Sequence, residues 1–278
     1  MGPALALSLS LALGLCGPGH AAPPRTIALA PHIVELVFAA GAGAALVGVA
    51  QGSDHPPAAR QLPTIGDGNR PGIEGVLALR PDLVIGWQHP PLRALTPLLD
   101  ARNIRIEYSD PSTLTGIADD IARLGHLLGT PEIADARANR LRTRLAALAQ
   151  RFAHAAPVRV FVQIGTDPMF SAGAGAIVTD ALSYCGAVNV MASAAVPAPR
   201  VSIEGVLAAS PDVILSGVSS AQETAALQQF WARRGWPVDA PARLITLDAD
   251  ALYRPTPRMI DAVEALCERL DSVRLPTH

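Results

Sequence analysis

Short, β-rich apolar runs alternate along this chain with stretches in which apolar residues return at helical spacing. Thr26 to Ala30 reads as a strand ending at Pro31, and Ile33 to Ala39 as a helix stopped by Gly41-Ala42-Gly43. Leu46 to Ala50, Leu83 to Trp87 and Ile104 to Tyr108 read as further strands, with a helix between the last two. From Leu114 to Ala155 the pattern is helical. It breaks near Gly129-Thr130-Pro131, where Thr130 can cap a second helix and Pro131 suits its first turn. That second helix carries Leu141, Leu145, Leu148 and Phe152 on one face and an arginine-rich polar face opposite. Val158 to Ile164 and Leu244 to Leu247 are strands of the second half. Helices are expected up to Tyr184, around Ala225 to Arg234, and from Arg258 to Leu270, with Asp250 to Pro257 as a loop. Strands alternating with helices predict parallel sheets.

One segment occurs twice. Ile73-Glu74-Gly75-Val76-Leu77-Ala78 with Pro81-Asp82 and an apolar run returns 130 residues later as Ile203-Glu204-Gly205-Val206-Leu207-Ala208 with Pro211-Asp212. Each copy reads as helix, turn and buried strand. A single long period excludes a solenoid, whose units run to about 20–50 residues, and implies two similar lobes. The expected organisation is a leader over 1–22, a first lobe over 23–130, a connecting helix over 131–156 and a second lobe over 157–278. A helix of about 23 residues spans roughly 34 Å, enough to cross between lobes. On the residues alone, Glu74 and Glu204 are favourable charges at helix N-termini, worth about 0.3–1 kcal/mol each.

Composition narrows the picture. With 50% hydrophobic and 17% charged residues, the 278-residue chain builds a substantial core, and a net charge of −2 gives no reason to expect nucleic acid. All 22 basic residues are scattered arginines. Met1 to Ala22, with its apolar centre Leu5 to Leu15 and Gly19 and Ala21 as small residues, reads as a secretory signal cut after Ala21, although no basic residue precedes the apolar centre. The run is too short for a bilayer, and Cys16, preceded by Leu15, is expected to be lost with it. Cys185 and Cys267 then remain in an oxidising compartment, where pairing is the expectation and two separately buried thiols the alternative.

Candidate chemistry sits in loops beyond the expected strand ends, where open parallel sheets bind ligands. His32, His55 and His89 occupy such positions in the first lobe, without the short spacing of a metal site, so no metal ligand is assigned. Phe170, Asp250, Tyr253 and Arg254 do so in the second lobe. With Trp87 and His55 they would line a gap suited to a large, flat, partly polar ligand, while Asp250 and Arg254 also fit a local i,i+4 surface pair. The chain has no Gly-x-Ser-x-Gly elbow and no phosphate-cradling loop, so it is not expected to be an enzyme.

Further segments identify a resemblance. Val160-Phe161-Val162-Gln163-Ile164-Gly165 with Pro168 and Phe170-Ser171, Val196 to Ser202, Ser53-Asp54-His55-Pro56-Pro57, both repeated units, and Asp250 to Arg258 together resemble the periplasmic vitamin B12-binding proteins of bacterial ABC importers. These belong to the helical-backbone class of substrate-binding proteins, and the resemblance runs from Arg25 to about Asp271. It implies an α/β fold of two doubly wound parallel-sheet lobes joined by one long helix, with the ligand cleft between them. It implies that Asp250 and Arg254 contact corrin side chains, with Ala251, Leu252 and Tyr253 in the same ligand-binding run and His55, Trp87 and Phe170 lining the cleft. It implies a Cys185–Cys267 bridge and docking of Glu74 and Glu204 onto a permease dimer, one on each lobe, by a monomeric protein in the periplasm. His55 stands where the best-known member has Tyr, Ala198 where it has Trp, and the Ile65 to Pro71 loop lacks a further Trp. Haem is the alternative ligand, with His55, His32 or Tyr253 as axial candidates. Iron-siderophore or zinc capture lies further off. A two-lobed chelatase enzyme is disfavoured by the leader and the paired Glu.

Overall fold

Side chains alternate across each buried strand, and this alternation decides where the cores lie. The computed structural model describes residues 22–67, 70–238 and 243–274, so the expected leader up to Ala21, with Cys16, lies outside the described residues. The first lobe contains β1 (Thr26–Ala28), α1 (Pro31–Ala39), β2 (Leu46–Val49), the short strands β3 (Gly66–Asp67) and β4 (Arg70–Pro71), α2 (Ile73–Ala78), β5 (Leu83–Gly86), α3 (Pro90–Asp100), β6 (Arg105–Tyr108) and α4 (Leu114–Leu128). Then comes α5 (Pro131–Phe152). The second lobe holds β7 (Val158–Gln163), α6 (Ile177–Tyr184), β8 (Ala187–Asn189), α7 (Ile203–Ala208), β9 (Val213–Val218), α8 (Ala221–Ala232), β10 (Leu244–Asp248), α9 (Ala249–Tyr253) and α10 (Pro257–Arg274).

Among the described residues the strands form two four-stranded sheets, ordered β2-β1-β5-β6 and β10-β9-β7-β8, beside the small β3-β4 pair. Every pairing within the two four-stranded sheets is parallel. The strand order reverses between β1 and β5 in one sheet and between β7 and β9 in the other, which places the two topological switch points at equivalent sites. Ala28, Leu83 and Ile85 of the first sheet and Val160, Val162, Val213 and Leu215 of the second enter one continuous core. Their alternate neighbours Ile27 and Val84 face a separate outer core in the first lobe, and Phe161 and Ile214 another in the second.

The shared core is filled by helices. Leu141, Leu145, Leu148 and Phe152 of α5 are buried in it, beside Ile117, Ile121 and Leu124 of α4 and Met259, Val263 and Leu266 of α10. Its 22 residues make α5 about 33 Å long at 1.5 Å per residue. The lobes are therefore tied through packed helices and not through a flexible linker. Cys185 and Cys267 form a disulfide that fastens the end of α6 to α10.

The repeated segment has a structural role in its Pro-Asp pair. Asp82 accepts the Arg25 amide at 2.8 Å, and the Arg25 guanidinium donates to the Leu79 and Arg80 carbonyls at the end of α2. In the second lobe, Asp212 accepts the Arg159 amide at 2.8 Å, and Arg159 donates to the Ala209 and Ser210 carbonyls after α7. Arg80 and Ser210 both adopt φ of 45°, the left-handed turn that ends each helix. One clamp, built twice, joins each short helix to the first strand of its sheet.

Two local expectations are revised. Pro31 does not merely end a strand but opens α1, where its missing amide costs nothing. The stretch after Asp248 is not a plain loop. Asp248 accepts the Ala251 amide at 2.9 Å and caps the short helix α9.

Candidate ligand-binding site

Helix α9 leaves the carboxyl end of β10 and sets Asp250 and Arg254 one turn apart, on the same face. They form the i,i+4 ion pair expected from spacing, at 2.9 Å. Arg254 also reaches into the first lobe, to Asp54 at 3.3 Å and to Glu35 at 3.6 Å. Burial pushes the Asp54 carboxyl up, but the hydrogen bond and charge of Arg254 outweigh it and hold this carboxyl below its usual 3.8. Glu35 is 4% exposed and takes two hydrogen bonds from the Arg258 guanidinium, at 2.9 and 2.5 Å. An ionic network thus links the loops after β2 and β10 and reaches α1 of the first lobe.

The helix is aimed by its neighbours. The Tyr253 hydroxyl donates to the Gln163 carbonyl at 3.0 Å and accepts the Gly217 amide at 2.9 Å. A Cβ on Gly217 would lie 2.4 Å from the Tyr253 ring, so this close approach requires glycine. Gln163, fully buried, is held in turn by the Trp231 indole, which donates to its side-chain oxygen at 2.6 Å. Burial raises the Tyr253 phenol above its ordinary value, and it stays neutral.

These contacts correct part of the expected ligand-binding run. Leu252 is fully buried in the shared core and cannot face a cleft, because α9 turns it away from Asp250 and Arg254. The Tyr253 hydroxyl is spent inside its own lobe, which removes it as an axial ligand candidate. Ala251 is half-buried and offers no polar group.

His55, exposed in the loop after β2, has no hydrogen-bond partner among the described residues. His32 is different. Burial pushes its imidazole below the usual 6.5, and its Nε2 donates to the Ser109 carbonyl at 3.3 Å. His89 is buried and lies 4.5 Å, ring to ring, from Trp87. Trp87 and Phe170 are both half-buried, at the ends of β5 and in the loop after β7. Among the described residues no group of three or more His, Cys, Asp or Glu is disposed to hold a metal ion.

Glu74 and Glu204 are both exposed, each in the first turn of its short helix. Only the second helix has a side-chain cap, Ser202, which accepts the Gly205 amide. The backbone amide at the start of this helix and Ser202 hold the Glu204 carboxyl below the ordinary range.

Residues 27–251 match the model of a family described as periplasmic binding protein. The chain belongs to the periplasmic binding protein family. It is 38% identical over 269 residues to the vitamin B12-binding protein of Photorhabdus laumondii, covering 95% of each chain. The periplasmic vitamin B12-binding protein of Vibrio cholerae superposes with a TM-score of 0.81 at 36% identity, covering 91% of this chain and 99% of that one. A periplasmic haem-binding protein from Roseiflexus sp. RS-1 superposes with a TM-score of 0.74 at 27% identity, covering 91% of this chain and all of that one.

Glu35 escaped the reading of the sequence, although one signal was present. It is a single carboxylate inside the apolar run Ile33-Val34-Glu35-Leu36-Val37, where an unpaired charge would be costly. Such a position demands a cation, but nothing local names Arg258 as the partner.

Proposed function

We propose that this protein captures cobalamin or a related corrinoid in the periplasm and delivers it to the permease dimer of an ABC importer. The observation that carries this reading is the reach of Arg254 from the second lobe to Asp54 in the first. It lies between loops at the carboxyl ends of both sheets, where Trp87, Phe170 and His55 add aromatic and imidazole surface. A corrinoid is broad, flat and fringed with amides. Carboxylates and a guanidinium at the cleft base match those amides, and the aromatic groups match the macrocycle. Similarity over nearly the whole chain to proteins named for vitamin B12 supports the same ligand. Glu74 and Glu204, exposed at equivalent corners, are the docking residues of this reading, since two like lobes suit a two-fold partner.

The absorption spectrum of protein purified from the periplasm, followed by calorimetric titration with cyanocobalamin, tests the assignment. Corrin bands and tight binding are expected, and an absence of heat with cyanocobalamin would overturn it.

Haem is the second reading, favoured by the unpartnered His55 ring and by the likeness to a haem-binding protein. It requires a Soret band that shifts on His55→Ala. A corrinoid packed against His55 would keep its spectrum in the same variant.

A further inference from the structure

The polar face of α5 does two different things along its length. In its C-terminal half, arginines meet the acidic face of α10. Arg144 bonds Asp261 at 2.6 Å and Glu264 at 2.7 Å, and Arg151 bonds Glu268 at 3.2 Å. In the N-terminal half the ladder stops: α10 brings Pro257 and Arg258 to the space beside Arg137 and Arg140, and its Asp261 is already taken by Arg144. A cavity of about 560 Å³ opens there. Phe38, Pro56 and Ile133 form apolar walls, and Arg137, Arg140 and Arg258 supply the charge. Its volume falls within the range of small-molecule sites, about 300–1,000 Å³.

The carboxylates bordering this cavity are already engaged. Glu35 is held by Arg258, and Asp261 by Arg144. Arg137 and Arg140 have no carboxylate partner among the described residues, and the buried Nε of Arg137 has no hydrogen-bond partner. Buried donors are ordinarily satisfied, so an unpaired guanidinium N–H on a cavity wall marks a place for an acceptor. The cavity is not remote from the cleft. His55 lines it, and Glu35 bonds Arg258 on its wall while lying 3.6 Å from Arg254 at the cleft base.

We propose that this cavity is a subsite for the nucleotide arm of a corrinoid, with Arg137 and Arg140 binding its phosphodiester and Phe38 and Ile133 packing against its heteroaromatic base. The inference rests on the corrinoid reading and deepens it. A phosphodiester is a singly charged anion with exposed oxygens, which guanidinium donors bind by charge-assisted hydrogen bonds. The adjoining base is flat and apolar, and this matches the amphipathic character of the walls. The subsite would let the protein separate complete cobalamins from corrinoids that lack the nucleotide.

The test titrates cyanocobalamin and dicyanocobinamide, which has no nucleotide arm, into the wild type, the Arg137→Gln/Arg140→Gln double variant and the Arg137→Lys/Arg140→Lys control. The wild type should prefer cyanocobalamin. The Gln variant should lose at least about tenfold in affinity for it while binding dicyanocobinamide unchanged, and the Lys variant should recover part of the loss. Equal loss for both ligands, or no loss for either, would overturn the subsite while leaving the corrinoid reading intact. A wild type that binds neither corrinoid sinks that reading, and the subsite falls with it. Inorganic phosphate binding the ligand-free protein more tightly than cyanocobalamin does would make the cavity a free-anion site and also overturn the assignment. Thermal melting of the ligand-free variants separates misfolding from lost recognition. No change is expected, because neither arginine has an ionic partner in the fold.

Discussion

Glu35→Gln is the most informative single substitution, because it removes one charge and little volume. Glu35 is 4% exposed and meets Arg258 through two hydrogen bonds and Arg254 at 3.6 Å. Breaking a fully buried ion pair costs about 3–5 kcal/mol. Here the Arg258 and Arg254 side chains keep 27% and 22% of their exposure, so water replaces part of the lost interaction. The glutamine oxygen also retains one of the two acceptor roles. We expect a loss of about 2 kcal/mol, or about 4–8 °C in melting temperature for a chain of this size. Urea unfolding should show a lower midpoint with an unchanged slope, since the surface exposed on unfolding is the same. A double-mutant cycle with Arg258→Met isolates the pair and should give a coupling of about 1–3 kcal/mol. A coupling below about 0.3 kcal/mol would refute the reasoning, because the stability of this corner would then come from packing and not from charge.

Replacing Cys185 and Cys267 together by Ala opens a loop with a sequence separation of 82. Chain entropy sets an upper estimate of about 4.5 kcal/mol, and a loss of about 2–4 kcal/mol in chemical unfolding is expected. Stability should also decline on acidification in two stages. The lowered pKa of His32 means that the unfolded chain takes up a proton first, so its contribution is full above about pH 6.5 and falls below it, by up to about 1.4 kcal/mol per pH unit. The contribution of Asp54 is present above the ordinary carboxylate value of 3.8 and is lost as pH falls through its lower folded value. Melting curves from about pH 7.5 to about pH 5.5 check the first stage, which His32→Gln should flatten. Charge reversal at both Glu74 and Glu204 should abolish transport while leaving ligand affinity unchanged, and normal transport in vesicles would reduce both residues to helix-end charges.

The order of helices and strands was legible because alternation and helical spacing are local properties of the chain. Their consequences appear directly in Ile27 and Ala28, or Phe161 and Val162, facing different cores. The two-lobe plan was legible from the repeat, since a segment able to form helix, turn and strand once can do so again. The interior of the site was not. Leu252 and Arg254 are two residues apart, yet one is fully buried and the other reaches Asp54 of the first lobe, and the capped turn at Asp248 sets the helix that separates them. Glu35 and Arg258 lie 223 residues apart. No local pattern pairs them, because their meeting depends on the shared core bringing α1 and α10 together. The cationic cavity on α5 depends on tertiary structure in the same way. Along the sequence its arginines are one polar stripe. Whether each meets a carboxylate or an open space is decided by what α10 presents opposite it.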